Sequence, residues 1–348
     1  MSIFTRFSLA SSDLAIDLGT ANTVVYARDR GVVVAEPSVV AIEITDGIAK
    51  VLSVGADAKL MLGKTPDNIK AIRPLRNGVI SDLEVAEQMI KHFIRKAQGG
   101  GSTRMRRQPE VVICVPSGST NVERRAIRDA ASNAGAGKVW LIEETMAAAI
   151  GAQLPVTHPI GSMVVDIGGG TTEVGVISIC GMSMSTSARV GGDKMDDAIT
   201  SHVRRTHNLM IGESTAERVK KELGSARVAK DQPERTAVIK GRDIARGVPR
   251  EIVITEVEIA QALAEPVAQI VAVVRQALES IEPELSADLM DSGIVLTGGG
   301  SLLADLSAVL SEATGLPVSL ADSPLDCVAV GAGRALEDSI YHGVLHAA

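Results

Sequence analysis

Apolar residues recur along this chain with two periods, every second position in some stretches and every third or fourth in others. These are the signatures of half-buried strands and amphipathic helices. Residues 13 to 28 read as DLAID, the small turn residues Gly19-Thr20-Ala21-Asn22, then TVVYAR. β-Branched runs about a tight turn predict a hairpin. Residues 162 to 179 repeat the plan as SMVVD, Ile167-Gly168-Gly169-Gly170 and TTEVGVISI, which implies an internal duplication. Between the hairpins the pattern predicts a β-rich segment over 32–54, a helix over 82–97, the strand VVICV and a helix over 119–134. Thr120 followed by Glu123 matches a capping box, and Gly135 sits where a C-terminal cap belongs. Helices are then expected over 193–208 and 214–224, a mixed polar region to about 250, and a long apolar-periodic helix over 256–280. The strand IVLT and a helix LLADLSAVLSEA, parted by Gly298-Gly299-Gly300, complete the second half. Strands alternating with helices place the chain in the α/β class.

The length of 348 residues suggests about two domains. With 45% hydrophobic and 22% charged residues the chain is expected to fold around sizeable cores. A formal net charge of −7 argues against a general attraction to nucleic acid. No run approaches the ~18 uncharged apolar residues needed to span a bilayer, so no integral membrane segment is expected. Cys114, Cys180 and Cys327 form no C-x-x-C pair and sit in apolar stretches, which favours buried thiols in a reducing compartment. His202 and His207 lack H-E-x-x-H spacing. The start, MSIFTRFSLASSD, is too short in its apolar part for a signal peptide, and secretion is not expected.

The hairpins carry the chemistry. Asp17 and Asp166 each stand at a strand end before a turn of small residues. Small residues let backbone N–H groups approach an anion, and an adjacent Asp can hold Mg²⁺ directly or through its waters. Either turn alone is explained as well by the turn preferences of Gly and Asn; the pair suggests two turns gripping one polyphosphate. Thr20, Thr171 and Thr172 add hydroxyls. Both turns run into a second strand, whereas Rossmann and Walker loops run into a helix, so those phosphate sites are excluded. Gly63-Lys64-Thr65 mimics the end of a Walker loop, but Pro66 follows at once and a surface turn is expected. Gly298-Gly299-Gly300 does lead from strand to helix, and reads either as an ordinary loop or as a place where a nucleoside lies against the backbone. Glu217 with Lys220 or Lys221 could bracket a ribose; Ser214 with Glu217 reads equally as a capping box. Glu143 and Glu144, before the helix-like MAAAIGA, suit a helix N-terminus and also the position of a general base.

The ordered set DLGTANT, EET-MAAAIGA, DIGGGTTE, VGGDKMD, ERVKKELG and LTGGGSLL resembles the actin and Hsp70 ATPase superfamily. Within it, IDLGTANT, AEPSVV, AIRPLRNGVI and VVDIGGGTTEVGV are similar to the bacterial MreB family over nearly the whole chain. The resemblance implies an actin-like ATPase fold, with two ribonuclease-H-like lobes, each carrying a smaller subdomain, closing around Mg-ATP. Its subdomains would be IA (1–32, 67–149, 319–348), IB (33–66), IIA (150–184, 247–318) and IIB (185–246). It implies that Asp17, Gly19, Thr20, Ala21 and Asn22 form one phosphate loop and Asp166, Gly168, Gly169, Gly170 and Thr171 the other. Asp17 and Asp166 would serve Mg²⁺. Glu217, Lys220 and Lys221 would contact the adenosine of ATP or ADP, with Gly298, Gly299 and Gly300 behind it. Glu144, helped by Thr171, would orient or activate the attacking water. Thr145 stands where the family usually has Pro, which weakens the preorganisation of Glu144.

The same resemblance implies self-assembly into head-to-tail protofilaments, paired antiparallel, that organise cell-wall synthesis and rod shape with RodZ, MreC and MreD. It also implies a cytoplasmic location at the inner face of the membrane. Ile3, Phe4 and Phe7 would share one helical face beside Arg6, a candidate inner-membrane lipid anchor. Between Glu87 and Glu110 lie Lys91, Arg95, Lys96, Arg104, Arg106 and Arg107 and no acid, either a solvated loop or a second lipid contact. A small-molecule kinase using the same ATP cleft is the alternative. A chaperone of the Hsp70 type is disfavoured by the short chain beyond the ATPase motifs.

Overall fold

The computed structural model describes residues 13–45, 47–76, 78–99, 108–228 and 235–347. Ile3, Phe4, Phe7, Arg104, Arg106 and Arg107 lie outside the described residues. In the first lobe, β1 (Leu14–Leu18), β2 (Asn22–Ala27) and β3 (Gly31–Pro37) form an antiparallel meander. A small sheet follows, β4 (Val40–Thr45), β5 (Ile48–Val54) and β6 (Ile69–Ile72), with the short helix α1 (Ala56–Leu60) and the ribbon β7 (Leu75–Arg76) and β8 (Val79–Ile80). The chain returns through α2 (Leu83–Ala97), β9 (Glu110–Val115), α3 (Asn121–Ala134) and β10 (Lys138–Glu143), and β9 and β10 extend the main sheet in parallel beside β1. Helix α4 (Glu144–Gly151) leads to the second lobe.

The second lobe repeats the plan. β11 (Ser162–Ile167), β12 (Thr172–Ser178) and β13 (Gly181–Ala188) form the meander. An insertion follows: α5 (Gly192–His207), β14 (Leu209–Met210), α6 (Glu213–Leu223), β15 (Thr236–Asp243) and β16 (Pro249–Thr255). Then come α7 (Glu256–Glu279), α8 (Pro283–Ser292), β17 (Ile294–Thr297), α9 (Leu306–Thr314) and β18 (Val318–Leu320), with β17 and β18 parallel to β11. Finally α10 (Cys327–Glu337) and β19 (His346–Ala347) return to the first lobe, where β19 pairs with β10. The two main sheets, ordered β3-β2-β1-β9-β10-β19 and β13-β12-β11-β17-β18, share an antiparallel meander followed by two parallel strands, and β19 adds an antiparallel edge to the first.

Local chemistry fixes the helix ends. The Thr120–Glu123 capping box opens α3, and Gly135 closes it at φ 111. A second box, Thr255 with Glu258, opens α7. That helix is long and apolar enough to suit a membrane span, yet Ile259, Leu263, Ile270 and Val274 are fully buried in the second lobe's core.

Four expectations need correction. The mixed polar region before 250 contains the hairpin β15–β16; Ala237 and Ile239 face the core, while the exposed Val238 and Val253 pair on the outer face and blur the alternation. The helix after the third glycine turn begins at Leu306, not Leu302: Gly299–Leu302 is a 3₁₀ turn, and Ala226 N–H donates to the Ala304 carbonyl at 2.8 Å, diverting the chain before α9. Ser214 does not cap α6, which starts from Gly212 with no side-chain cap. Cys180 is half-buried rather than enclosed.

Between the lobes, α4 and α10 cross at small residues. A Cβ at Gly331 would collide with the Ala147 carbonyl oxygen, and one at Gly151 with the Cys327 carbonyl oxygen. Ala148, Ala149, Ala332 and Ala335 complete this layer together with Ala15 and Val112 of one lobe and Val164 and Ile177 of the other. It lies between two separate cores, one in each lobe.

Candidate functional site

Strands β1 and β11 end at the same crevice. Each delivers its Asp one residue before its last and then turns back, and the turns are built for small residues. A Cβ on Gly19 would lie 2.5 Å from the Asn22 carbonyl oxygen. Gly168 N–H donates to the Thr171 carbonyl at 2.8 Å. The turns also meet: a Cβ on Gly169 would lie 2.7 Å from Ala21 Cβ and 3.1 Å from Ala21 N. Only glycine lets the two backbones come this close. The β7–β8 ribbon covers both turns, since Gly78 N–H donates to Thr20 Oγ1 at 3.1 Å, and a Cβ on Gly78 would lie 3.7 Å from Thr171 Cγ2.

The third turn joins them. Gly298 has φ 78, and a Cβ there would lie 2.7 Å from Asp166 Oδ1. Thr297 Oγ1 donates to that same oxygen at 2.8 Å. Gly300 packs on Ile167 and Gly299 against Leu325. Helix α5 seals the far side of the second turn, with Gly192 N–H on the Gly168 carbonyl at 3.0 Å and Asp193 N–H on that of Gly169 at 2.7 Å. This explains the glycines of VGGDKMD, because a Cβ on Gly191 would meet the Gly168 and Gly169 carbonyl oxygens at 2.6 and 2.9 Å.

Carboxyl groups crowd the crevice. Burial raises Asp17 to about 8, and the charge of Asp166 adds to the rise. Burial likewise raises Asp166 to about 6 against the opposing Thr297 hydrogen bond. Glu144, at the start of α4, is pushed well up by burial and then by the charges of Glu173, Asp17 and Asp166. Glu173, missed in the motif DIGGGTTE, is fully buried and raised to about 7 mainly by burial, although Ser117 N–H donates to its Oε2 at 3.2 Å. Its Oε1 has no partner. Such a cluster favours a cation. Among the described residues no three His, Cys, Asp or Glu side chains form a metal cage. Asp17 and Asp166 therefore fit Mg²⁺ in its usual protein setting, one or two carboxylates with phosphate and water supplying the rest.

Thr145 compensates for the missing proline. It is fully buried as the second residue of α4, and its Oγ1 lies 2.8 Å from Ser117 Oγ, so a hydroxyl pair fixes the helix start.

The residues expected at the adenosine divide into two groups. Lys220 turns inward, donating to the Gly192 carbonyl at 2.8 Å and to Asp196 Oδ2 at 2.9 Å. Glu217 and Lys221 face outward across the mouth. Lys59 of α1 reaches Glu217 Oε2 at 2.7 Å, and Lys221 reaches Glu217 Oε1 at 2.6 Å. Burial alone would raise Glu217; the hydrogen bonds from Lys221 and Lys59 outweigh it and lower the carboxyl to about 2. These residues, with Ser214, Arg218 and Glu222, line a cavity of about 460 Å³. A second bridge across the mouth joins Arg73 to Asp193 at 3.1 Å and to Glu213. Lys59, Arg73 and Asp196 carried no motif signal of their own. Asn22 opens β2 and is exposed; the Gly63-Lys64-Thr65 decoy is a surface turn after α1, with Gly63 at φ 69.

The comparisons agree with this architecture. The family profile described as MreB/Mbl protein matches residues 11–342. The cell shape-determining protein MreB of Pasteurella multocida is 52% identical over 337 residues, 96% of this chain and 95% of that protein. MreB of Escherichia coli strain K12 is 53% identical over 335 residues, 96% and 95% respectively. Among solved structures, MreB5 of Spiroplasma citri bound to AMPPNP has a TM-score of 0.86 at 36% identity, covering 95% of this chain and 98% of that one. Its ADP-bound form matches with the same TM-score at 35% identity, covering 94% and 98%. An actin-like fold duplicated about paired glycine turns, and sequence identity above one half across nearly the full length, make this chain a member of the MreB/Mbl family.

Proposed function

We propose that the chain is an ATP-dependent, actin-like cytoskeletal protein that determines cell shape, assembling into filaments at the inner face of the cytoplasmic membrane. The observation that carries the reading is the contact between Gly169 and Ala21, which places two phosphate-sized backbone turns from different lobes against each other. A polyphosphate held by both turns links the lobes, so its γ-phosphate favours closure and its loss removes that bias.

Hydrolysis asks for an aligned water and for charge neutralisation rather than a covalent protein group. Backbone N–H groups of the two turns bind the phosphate oxygens, and Thr20 and Thr171 add hydroxyl donors. Asp17 and Asp166 would hold Mg²⁺, which when bound would supply charge neutralisation at the phosphates. Glu144, fixed by the Thr145–Ser117 pair, then orients the attacking water through its carboxylate. Glu217 and Lys220 serve the sugar side, and Gly298–Gly300 leave room for the base.

Filament assembly follows the family's cell-shape role, as do RodZ, MreC and MreD as membrane-bound partners. Ile3, Phe4 and Phe7 supply the lipid contact. A small-molecule kinase is not favoured, because the chain's relatives determine cell shape. The test is sedimentation of the purified chain with Mg-ATP beside phosphate release. Filaments with ATP, and a Glu144→Ala variant that retains nucleotide but releases phosphate at least about 100-fold more slowly, support the reading. A monomer at every concentration overturns it.

A further inference from the structure

Asp196 lies in α5, about one turn beyond Gly192, and is 6% exposed. One oxygen accepts from Lys220, and Oδ1 has no partner among the described residues. A surface pair would be an ordinary tie between helices, but this one is enclosed: the Asp196 and Lys220 side chains are 8% and 16% exposed. Burial pushes the Asp196 carboxyl up to about 6 even though Lys220 pulls it down. The carboxylate is therefore costly to keep there, and packing alone would be served better by an apolar residue.

Its placement gives it work. Lys220 Nζ is held by the Gly192 carbonyl and by Asp196, which together use two of the three ammonium hydrogens. The Gly192 and Asp193 N–H groups are themselves bonded to the Gly168 and Gly169 carbonyls of the second turn. A Cβ on Gly192 would lie 3.2 Å from Lys220 Nζ and 3.7 Å from Gly169 Cα, so ammonium and turn are separated by one glycine. A lysine ammonium is a point charge on a flexible four-carbon stem. Two fixed acceptors turn it into a donor of set direction, registered to the backbone that would hold the phosphates.

We propose that Asp196 is a positioning residue for sugar selectivity, aiming the remaining N–H of Lys220 at a ribose hydroxyl of the bound nucleotide. The inference rests on the nucleotide-binding reading above. It gives a use to the pairing of Asp196, the last residue of VGGDKMD, with Lys220 of ERVKKELG, 24 residues away. The consequence is selectivity by loss: a deoxynucleotide leaves a desolvated cationic donor without its acceptor.

The experiment measures equilibrium affinity for ATP, 2′-deoxy-ATP and 3′-deoxy-ATP in the presence of Mg²⁺. The unaltered chain should bind at least one deoxy analogue about tenfold more weakly than ATP, the size of one charge-assisted hydrogen bond. In Asp196→Asn, which keeps the shape, the ratio should fall below about threefold, because ATP affinity drops while deoxy affinity hardly changes. Lys220→Met should lower the ratio equally, and the double variant no further. A purely structural role would weaken all three ligands together and leave the ratio intact. A tenfold penalty retained in Asp196→Asn or in Lys220→Met overturns the proposal, as does a wild-type chain that binds all three ligands equally. A wild-type chain that binds none overturns the nucleotide reading itself.

Discussion

Lys59→Ala severs one of two bridges across the mouth of the cleft. Lys59 sits on α1 of the first lobe and Glu217 on α6 of the second, with Nζ 2.7 Å from Oε2 and side chains 28% and 20% exposed. The fall of the Glu217 carboxyl from 4.5 to about 2 corresponds to roughly 3 kcal/mol of interaction with its cations. Lys221 shares that interaction from the same helix and does not cross the mouth, so about half belongs to Lys59. Solvent screening of a partly exposed pair reduces the remainder to about 1 kcal/mol. That is about a fivefold shift away from closure. The assay is stopped-flow dissociation of a fluorescent ADP derivative in low salt. Lys59→Ala should release it about fivefold faster, and the wild-type rate should climb more steeply than the variant's, narrowing the gap, as salt rises from ~0.01 M to ~0.5 M. The Arg73 bridge to Asp193 and Glu213 persists in the variant, so release should not become unrestrained. Equal rates in low salt, or an equal salt response in both proteins, would refute the idea that this pair holds the cleft shut.

Two other outcomes are expected. The nucleotide-free chain should lose thermal stability as pH rises from about 5 to 8: Asp17, Asp166 and Glu173 have folded values of about 8, 6 and 7, above their unfolded ones. The folded state therefore holds more protons in that window. Saturating Mg-ADP should flatten the slope in calorimetry, and a stability that increases across this range would contradict the carboxyl crowding. Deleting residues 2 to 9 should reduce co-sedimentation with vesicles containing anionic lipid severalfold, leaving ATP-driven sedimentation without lipid unchanged; full vesicle binding would move the anchor elsewhere.

The duplication was legible because it is written in local chemistry. Asp17 and Asp166 precede turns of small residues, and β-branched residues follow both, so the two hairpins and the idea of a shared crevice were readable from the local pattern, while the register came from the structure. The caps at Thr120 and Gly135 were equally local. What escaped was non-local. Glu217 looked like the partner of Ser214 because a helix start is a short-range pattern, whereas its real partner Lys59 lies 158 residues away. Thr145 read as a defect because its compensating hydroxyl, Ser117, comes from another segment. Asp196 and Arg73 carry ordinary charges whose meaning arises only when α5, α6 and the β7–β8 region meet. The hairpin β15–β16 was obscured by Val238 and Val253, apolar residues on an outward face.

Helix α4 has only eight residues, with Glu144 at its first position and Gly151, seated on the α10 backbone, at its last. Its length is therefore ~12 Å. If the lobes swing by ~10° about the glycine end, the carboxylate end travels about 2 Å, and misplacement by 1 Å can already cost a reaction about 100-fold. On the proposed ATPase reading, fuel consumption and lobe angle would share one lever arm: a gaping molecule would keep its triphosphate uncut, and the chemical clock would start only once the jaws come together.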